Sequence, residues 1–165
     1  MPLVAFEYRF RVPLPASAEA AYRWATDYAP DDWARMGQDG TRRVVPLADR
    51  TVLLVDTVRA GGRSVTKRRL VRLYPARRAW TNTHLAGPTR HSQFWYRIVP
   101  RGARGSVIEF TGLQVEPSSR RLPPAALARR AREVAREDQA TWRRLARVMG
   151  RELGTAPARR RKRSA

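Results

Sequence analysis

The sequence predicts an α+β domain in the order β-α-α-β6-α, with seven antiparallel strands, two short helices after the first strand, and one long C-terminal helix. Three observations predict it. Residues 3–12 alternate apolar and charged side chains, the stretch after Gly40 is broken by turn signals at hairpin intervals, and residues 124–153 carry an apolar stripe at steps of three and four.

In the first strand Val4, Phe6, Tyr8, Phe10 and Val12 fall on one side and Glu7, Arg9 and Arg11 on the other, the period of a half-buried strand. Pro13 and Pro15 are expected to end it. Ser17 is placed to cap a helix from Ala18 to about Asp27 that carries Tyr22 and Trp24. Ala29-Pro30-Asp31 breaks that helix, and Asp31 can cap a second short one through Trp33 and Met36 to Gly37.

Strands are expected over 41–47, 51–59, 65–74, 79–86, 90–99 and 106–116. The turns between them fall at Ala48-Asp49, Gly61-Gly62, Pro75-Ala76, Gly87-Pro88 and 102–105, where Gly, Pro and Asp supply the backbone angles a reversal needs. Residues 117–124 read as a loop, and Pro123 or Pro124 suits a first helical turn, where the missing N–H has no intrahelical partner. In the last helix Leu127, Ala131, Val134, Asp138, Trp142, Leu145 and Met149 share one stripe, and most of the arginines lie off it. Residues 1–154 therefore read as one domain and 155–165 as a disordered basic tail.

Composition narrows the function. The chain has 165 residues, no cysteine and two histidines, His84 and His91, which excludes disulfides and thiolate metal sites. No metal or cofactor is expected, since the histidines lack ligand-like spacing and Gly61-Gly62 reads as a hairpin turn and not a phosphate loop. An N-terminus that alternates instead of showing a signal pattern, and the lack of any apolar run of about 20 residues, point to a cytoplasmic protein. The net charge is +20, and Arg159, Arg160, Arg161, Lys162 and Arg163 form a run that can meet nucleic acid or an anionic surface. Setting those five aside leaves 29 basic residues against 14 acidic ones. Almost all of them are Arg in an Ala-rich chain, the mark of a GC-rich coding bias, so the charge by itself names no partner.

The order of elements, with the opening Phe10-Arg11-Val12-Pro13-Leu14-Pro15-Ala16-Ser17, then Tyr22, Trp24, Asp27 and Trp33, the hairpin Pro100-Arg101-Gly102-Ala103-Arg104-Gly105-Ser106 and the acidic pair Glu137-Asp138, resembles the START-like SRPBCC superfamily of helix-grip proteins. The resemblance covers about residues 4–153. It implies a curved sheet gripping the long helix, with a cavity between them for a small hydrophobic or aromatic molecule. It also implies the functional range of the superfamily, from lipid-transport carriers to polyketide cyclases and dehydratases, and fold alone does not choose among these.

Asp138 is the pivotal residue, because at 100° per residue it lies within about 20° of Leu127 and Leu145 in the middle of the apolar stripe. A carboxylate there needs an Arg, Lys, Tyr or His of the sheet as partner, or a wet cavity. Taken at face value, the hairpins set Asp56 opposite Lys67, Arg69 opposite His84 and Val71 opposite Asn82. One face then holds Val52, Leu54, Asp56, Lys67, Arg69, Val71, Leu73, Trp80, Asn82 and His84, a mixture suited to a pocket. The rival face holds Leu53, Val55, Leu70, Tyr74 and Leu85, and a slip of one residue exchanges the two.

In the last hairpin, Phe94, Tyr96 and Ile98 are expected to share a face with Val107, Glu109, Thr111 and Leu113, so that Tyr96 and Glu109 can hydrogen-bond. Trp33 is expected at the cavity entrance. The candidate ligand-binding residues are thus Tyr8, Trp33, Arg69, Trp80, Asn82, His84, Phe94, Tyr96, Glu109, Asp138 and Trp142. Three functions stay open: a binding or carrier protein, a cyclase or dehydratase using Asp138, Arg69, His84 or Tyr96, and an Arg-rich nucleic-acid or anionic-surface binder.

Overall fold

A computed structural model describes residues 1–154. The Arg-rich run at 159–163, and with it the expected disordered tail, lies outside the described residues. Strand β1 (Leu3–Leu14) leads into α1 (Ala18–Ala25) and α2 (Asp32–Arg35). Strands β2 (Gly40–Ala48), β3 (Thr51–Ala60), β4 (Arg63–Tyr74), β5 (Ala79–Ala86), β6 (Gln93–Arg101) and β7 (Gly105–Pro117) follow, and α3 (Pro124–Glu152) closes the described chain. The seven strands form one antiparallel sheet in the order β1-β7-β6-β5-β4-β3-β2. This is the helix-grip α+β fold.

The boundaries depart from expectation where tertiary pairing overrides local signals. Pro13 does not end β1, because β1 is an edge strand and its pairing with β7 continues to Leu14 opposite Ser106. A proline in an edge strand costs no ladder bond if its nitrogen faces outward. Helix α1 stops at Ala25 instead of Asp27, with Ser17 Oγ accepting from the Ala20 N–H at 3.3 Å as its cap. Asp31 precedes α2 without a side-chain capping bond. Strand β6 starts at Gln93 and not at 90, since residues 87–92 are spent on a turn in which Gly87 and His91 take positive φ angles.

All three α-helices lie against the concave face. Val4, Phe6, Tyr8, Phe10, Val12 and Leu14 alternate inward from β1, and α3 packs chiefly along this strand. Phe10 stacks on Phe110 with ring centroids 4.5 Å apart, and Tyr22 of α1 packs 6.1 Å from Trp80. Gly112 sits opposite both Tyr8 and Phe94, and a Cβ there would fall 2.5 Å from the Phe110 ring and 2.8 Å from Phe94. The missing side chain lets three aromatic rings converge. Because α3 covers the β1 side, the concave face of β3 to β6 is left to α1, α2 and a cavity.

Candidate functional site

A cavity of about 220 Å³ opens between α3, the α1–α2 segment and the concave face. The predicted pairings Asp56–Lys67, Arg69–His84 and Val71–Asn82 all occur. The face they share is the inner one, and the rival face points outward. Of the eleven expected site residues, Arg69, Trp80, Asn82, His84, Phe94, Tyr96, Asp138 and Trp142 line this cavity. Tyr8 stands behind it, donating its hydroxyl hydrogen to Asp138 Oδ2 at 2.6 Å.

Two residues are elsewhere. Glu109 faces the convex side, opposite Arg97, and pairs with Arg11 at 2.9 Å. The three residues between Arg101 and Gly105 set the parity of this hairpin, so Tyr96 meets Phe110 and Ile98 meets Ile108. The expected bond between Tyr96 and Glu109 therefore does not form. Trp33 is not at the entrance either. It is buried among β-strand residues, with the Arg42 guanidinium and the Lys67 ammonium each 5.7 Å from its ring and its Nε1–H donated to Asp56 Oδ1 at 3.1 Å.

The cavity wall is aromatic. Trp80 and Tyr96 stack at 4.8 Å with an interplanar angle of 5°, and Trp142 approaches them at 6.3 and 5.9 Å. Phe94 meets the His84 ring edge-on at 4.8 Å. The wall forms because strands present alternate residues to one face and α3 presents Asp138, Thr141, Trp142 and Leu145 within two turns.

The polar end is built from alternating charges. Glu152 meets Arg35 at 3.3 Å, Arg35 meets Asp32 at 3.2 Å, Asp32 meets Arg42, Arg42 meets Asp56 at 2.8 Å, and Asp56 meets Arg69. This ladder runs from the tip of α3 through α2 into the sheet and ends in the cavity at Arg69. Asp56 is fully buried; burial pushes its carboxyl up, but the Arg69 and Arg42 guanidiniums outweigh that and hold it below the usual range. Burial raises Asp32 in spite of Arg42. The same burial, reinforced by Arg69, lowers the Lys67 ammonium.

Several groups keep unusual protonation. Burial, with the nearby Arg69 and Lys67 charges, pushes His84 down to about 3, so its ring is neutral and shares a 2.7 Å hydrogen bond with Thr89 Oγ1. Burial raises Asp138 although the Tyr8 hydroxyl works the other way. Tyr8, Tyr28 and Tyr96 are all raised by burial and stay phenols.

Tyr28 Oη, Arg69 Nε and Asn82 Oδ1 are buried with no hydrogen-bond partner among the described residues, and all three residues line the one cavity. Buried polar groups in proteins are nearly always satisfied, so these three stand out, as do Tyr22 Oη, Arg35 Nε and Arg78 Nε away from the cavity.

Sequence reasoning missed Trp24, Tyr28, Asp32, Met36, Arg42, Thr141 and Leu145. Thr141 and Leu145 follow Asp138 at helical spacing and were legible from it. Arg42 was not, because a bulge at Leu47 shifts the β2 register and brings Arg42, where an unbroken two-residue hairpin would put Arg43, opposite Asp56. Tyr28 lies in the α1–α2 loop with φ +49°, where no periodicity operates.

No protein-family model and no curated protein sequence matches the chain. Solved structures do match. The Zhui aromatase/cyclase from Streptomyces sp. R1128 superposes with a TM-score of 0.69 at 17% identity, over 90% of this chain and 93% of that one. A START superfamily protein from Mycobacterium smegmatis gives 0.62 at 19% identity over 88% and 95%. Norcoclaurine synthase from Thalictrum flavum, in complex with dopamine and hydroxybenzaldehyde, gives 0.66 at 12% identity over 94% and 90%. At these identities the likeness establishes the START-like SRPBCC fold. Among the described residues no helix is long and apolar enough to cross a membrane.

Proposed function

We propose that the protein binds a small planar aromatic molecule bearing oxygen functions in the cavity beneath α3. The observation that carries this reading is the set of three orphaned polar atoms, Tyr28 Oη, Arg69 Nε and Asn82 Oδ1, on residues that line a cavity with an aromatic wall. Arg69 and Tyr28 supply N–H and O–H donors to a ligand carbonyl, carboxylate or phenol oxygen, and Asn82 supplies an acceptor for a ligand hydroxyl. Size supports the same class. A cavity of about 150 Å³ takes one benzene, so a space of about 220 Å³ suits one or two rings.

A second reading, an enzyme of the cyclase or dehydratase kind, is favoured by one feature. Asp138 lines the cavity with its carboxyl raised by burial and hydrogen-bonded to Tyr8, the setting of a group that exchanges a proton with a bound molecule. A carrier needs Asp138 only for orientation.

Calorimetric titration with hydroxylated one- and two-ring aromatics against their deoxy analogues tests the binding reading. Hydroxylated ligands should bind, and Tyr28→Phe should weaken them about tenfold, the scale of one buried hydrogen bond. Equal affinity for deoxy analogues, or no binding by any of them, overturns it. Turnover of a bound ligand that Asp138→Asn abolishes while binding persists selects the enzyme.

A further inference from the structure

The convex face of the sheet carries none of the helices, and its side chains are not those of a plain solvated surface. Strand pairing aligns Arg9, Thr111, Trp95, Thr81 and Arg72 in one row across β1, β7, β6, β5 and β4. At about 4.8 Å per strand the two arginines stand roughly 19 Å apart, with Trp95 midway. Tyr74 packs 5.5 Å from Trp95, and the Arg72 guanidinium lies 5.9 Å over the Tyr74 ring. Beside Trp95 a depression of about 450 Å³ is bounded by Arg77, Arg78 and Arg97 over Ala76.

The charges on this face are largely unneutralised. Arg11 takes Glu109, but Arg9, Arg72, Arg77 and Arg97 form no ion pair among the described residues. Arg78 has its Nε buried without a hydrogen-bond partner among them at the same depression. Coding bias explains many arginines but does not explain two adjoining half-buried aromatics set between them.

We propose that this convex face binds single-stranded nucleic acid, with Trp95 and Tyr74 stacking on bases and Arg9, Arg72, Arg77 and Arg97 holding phosphates. The chemistry selects this occupant. Aromatic side chains on an open sheet can stack only on unpaired bases, while a duplex keeps its bases stacked inside and offers phosphates alone. The flanking guanidiniums supply the sequence-independent attraction along the backbone. The site lies on the opposite side of the sheet from the cavity and stands or falls independently of the ligand read there.

The test is fluorescence anisotropy of labelled 12-nucleotide U and dT strands and a 12-base-pair duplex. The protein is the full chain carrying Arg159→Ala, Arg160→Ala, Arg161→Ala, Lys162→Ala and Arg163→Ala, which removes the basic run as a rival site. Single strands should bind more tightly than duplex, and the U and dT arms show whether the 2′-hydroxyl contributes. Trp95→Ala should weaken single-strand binding about tenfold. Arg9→Ala and Arg72→Ala, both surface changes, should each lower the salt slope by about 0.7. If Trp95→Ala unfolds the protein, the two arginine slopes and the strand preference still decide. No binding, equal binding of duplex, or displacement by poly-glutamate with affinity unchanged in Trp95→Ala, the behaviour of a docking face for an acidic protein, overturns the proposal.

Discussion

Tyr8 and Asp138 are 130 positions apart in the chain, yet the Tyr8 hydroxyl donates to Asp138 Oδ2 at 2.6 Å and so fastens the middle of α3 to the edge strand beneath it. The bond is charge-assisted and largely shielded from water, and it orients a carboxyl whose other face meets the cavity. A polar pair in the centre of an apolar helix face is expensive unless it is used.

That expense gives the first prediction. Burial raises the Asp138 pKa, so the folded state holds its proton more tightly than the unfolded chain, and this contribution is lost as pH rises through the folded value. Asp138→Asn keeps an acceptor for Tyr8 without the charge and should raise Tm at pH 7 by about 2–4 °C. The gain should shrink toward pH 4. Tyr8→Phe leaves the carboxylate without its donor and should cost about 1–3 kcal/mol. Thermal melts at pH 4 and 7 check both, and a destabilised Asn variant at pH 7 would mean the charge is compensated by groups other than Tyr8.

Asp56 is the keystone of the ion ladder, receiving Trp33, Arg42 and Arg69 on its two oxygens. Asp56→Ala strands two guanidiniums and an indole N–H in a buried place. The expected loss is about 3–5 kcal/mol by denaturant titration, the scale of breaking a buried pair from one side. Asp56→Asn should recover part of it through the indole bond. An alanine variant within about 1 kcal/mol of the parent would show that water replaces the carboxylate at little cost.

His84 yields a pH dependence of the opposite sense to Asp138. Its folded value of about 3 lies far below the ordinary 6.5, so below pH 6.5 the unfolded chain takes up a proton that the folded state refuses. Stability should fall as pH drops from about 6.5 toward 3, at up to about 1.4 kcal/mol per pH unit. His84→Gln should remove about 2 kcal/mol of the loss between pH 7 and 5, a window where ordinary carboxylates stay ionised. Parallel stability curves for the two proteins over that window would mean that His84 is protonated in place.

The architecture and much of the site were legible because they rest on local rules. Alternation along β1, the stripe on α3 and the two-residue and four-residue turns that join β3, β4 and β5 determined which residues shared a face. From these came Asp138, Arg69, Trp80, Asn82 and His84 at one cavity. A period-two element has only two faces, so a correct turn places every side chain on it.

Where a connection held one residue fewer or a strand one residue more than expected, the faces exchanged as that rule implies. The loop between Arg101 and Gly105 put Glu109 on the outside, and the bulge at Leu47 put Arg42 inside. One residue more or less in a connection reverses the face, and nothing in the residues of a hairpin states its count unambiguously.

The sequence by itself determined a helix-grip order, a polar residue in the helix stripe and a strongly basic net charge. Only the tertiary structure decided that Tyr8 is the partner of Asp138, that Trp33 braces an ion ladder instead of guarding an entrance, and that Trp95 and Tyr74 meet on the convex face between arginines without ion pairs among the described residues. Contacts of this kind join residues 21 to 130 positions apart, and their partners are chosen by strand order and helix docking, which no local spacing encodes.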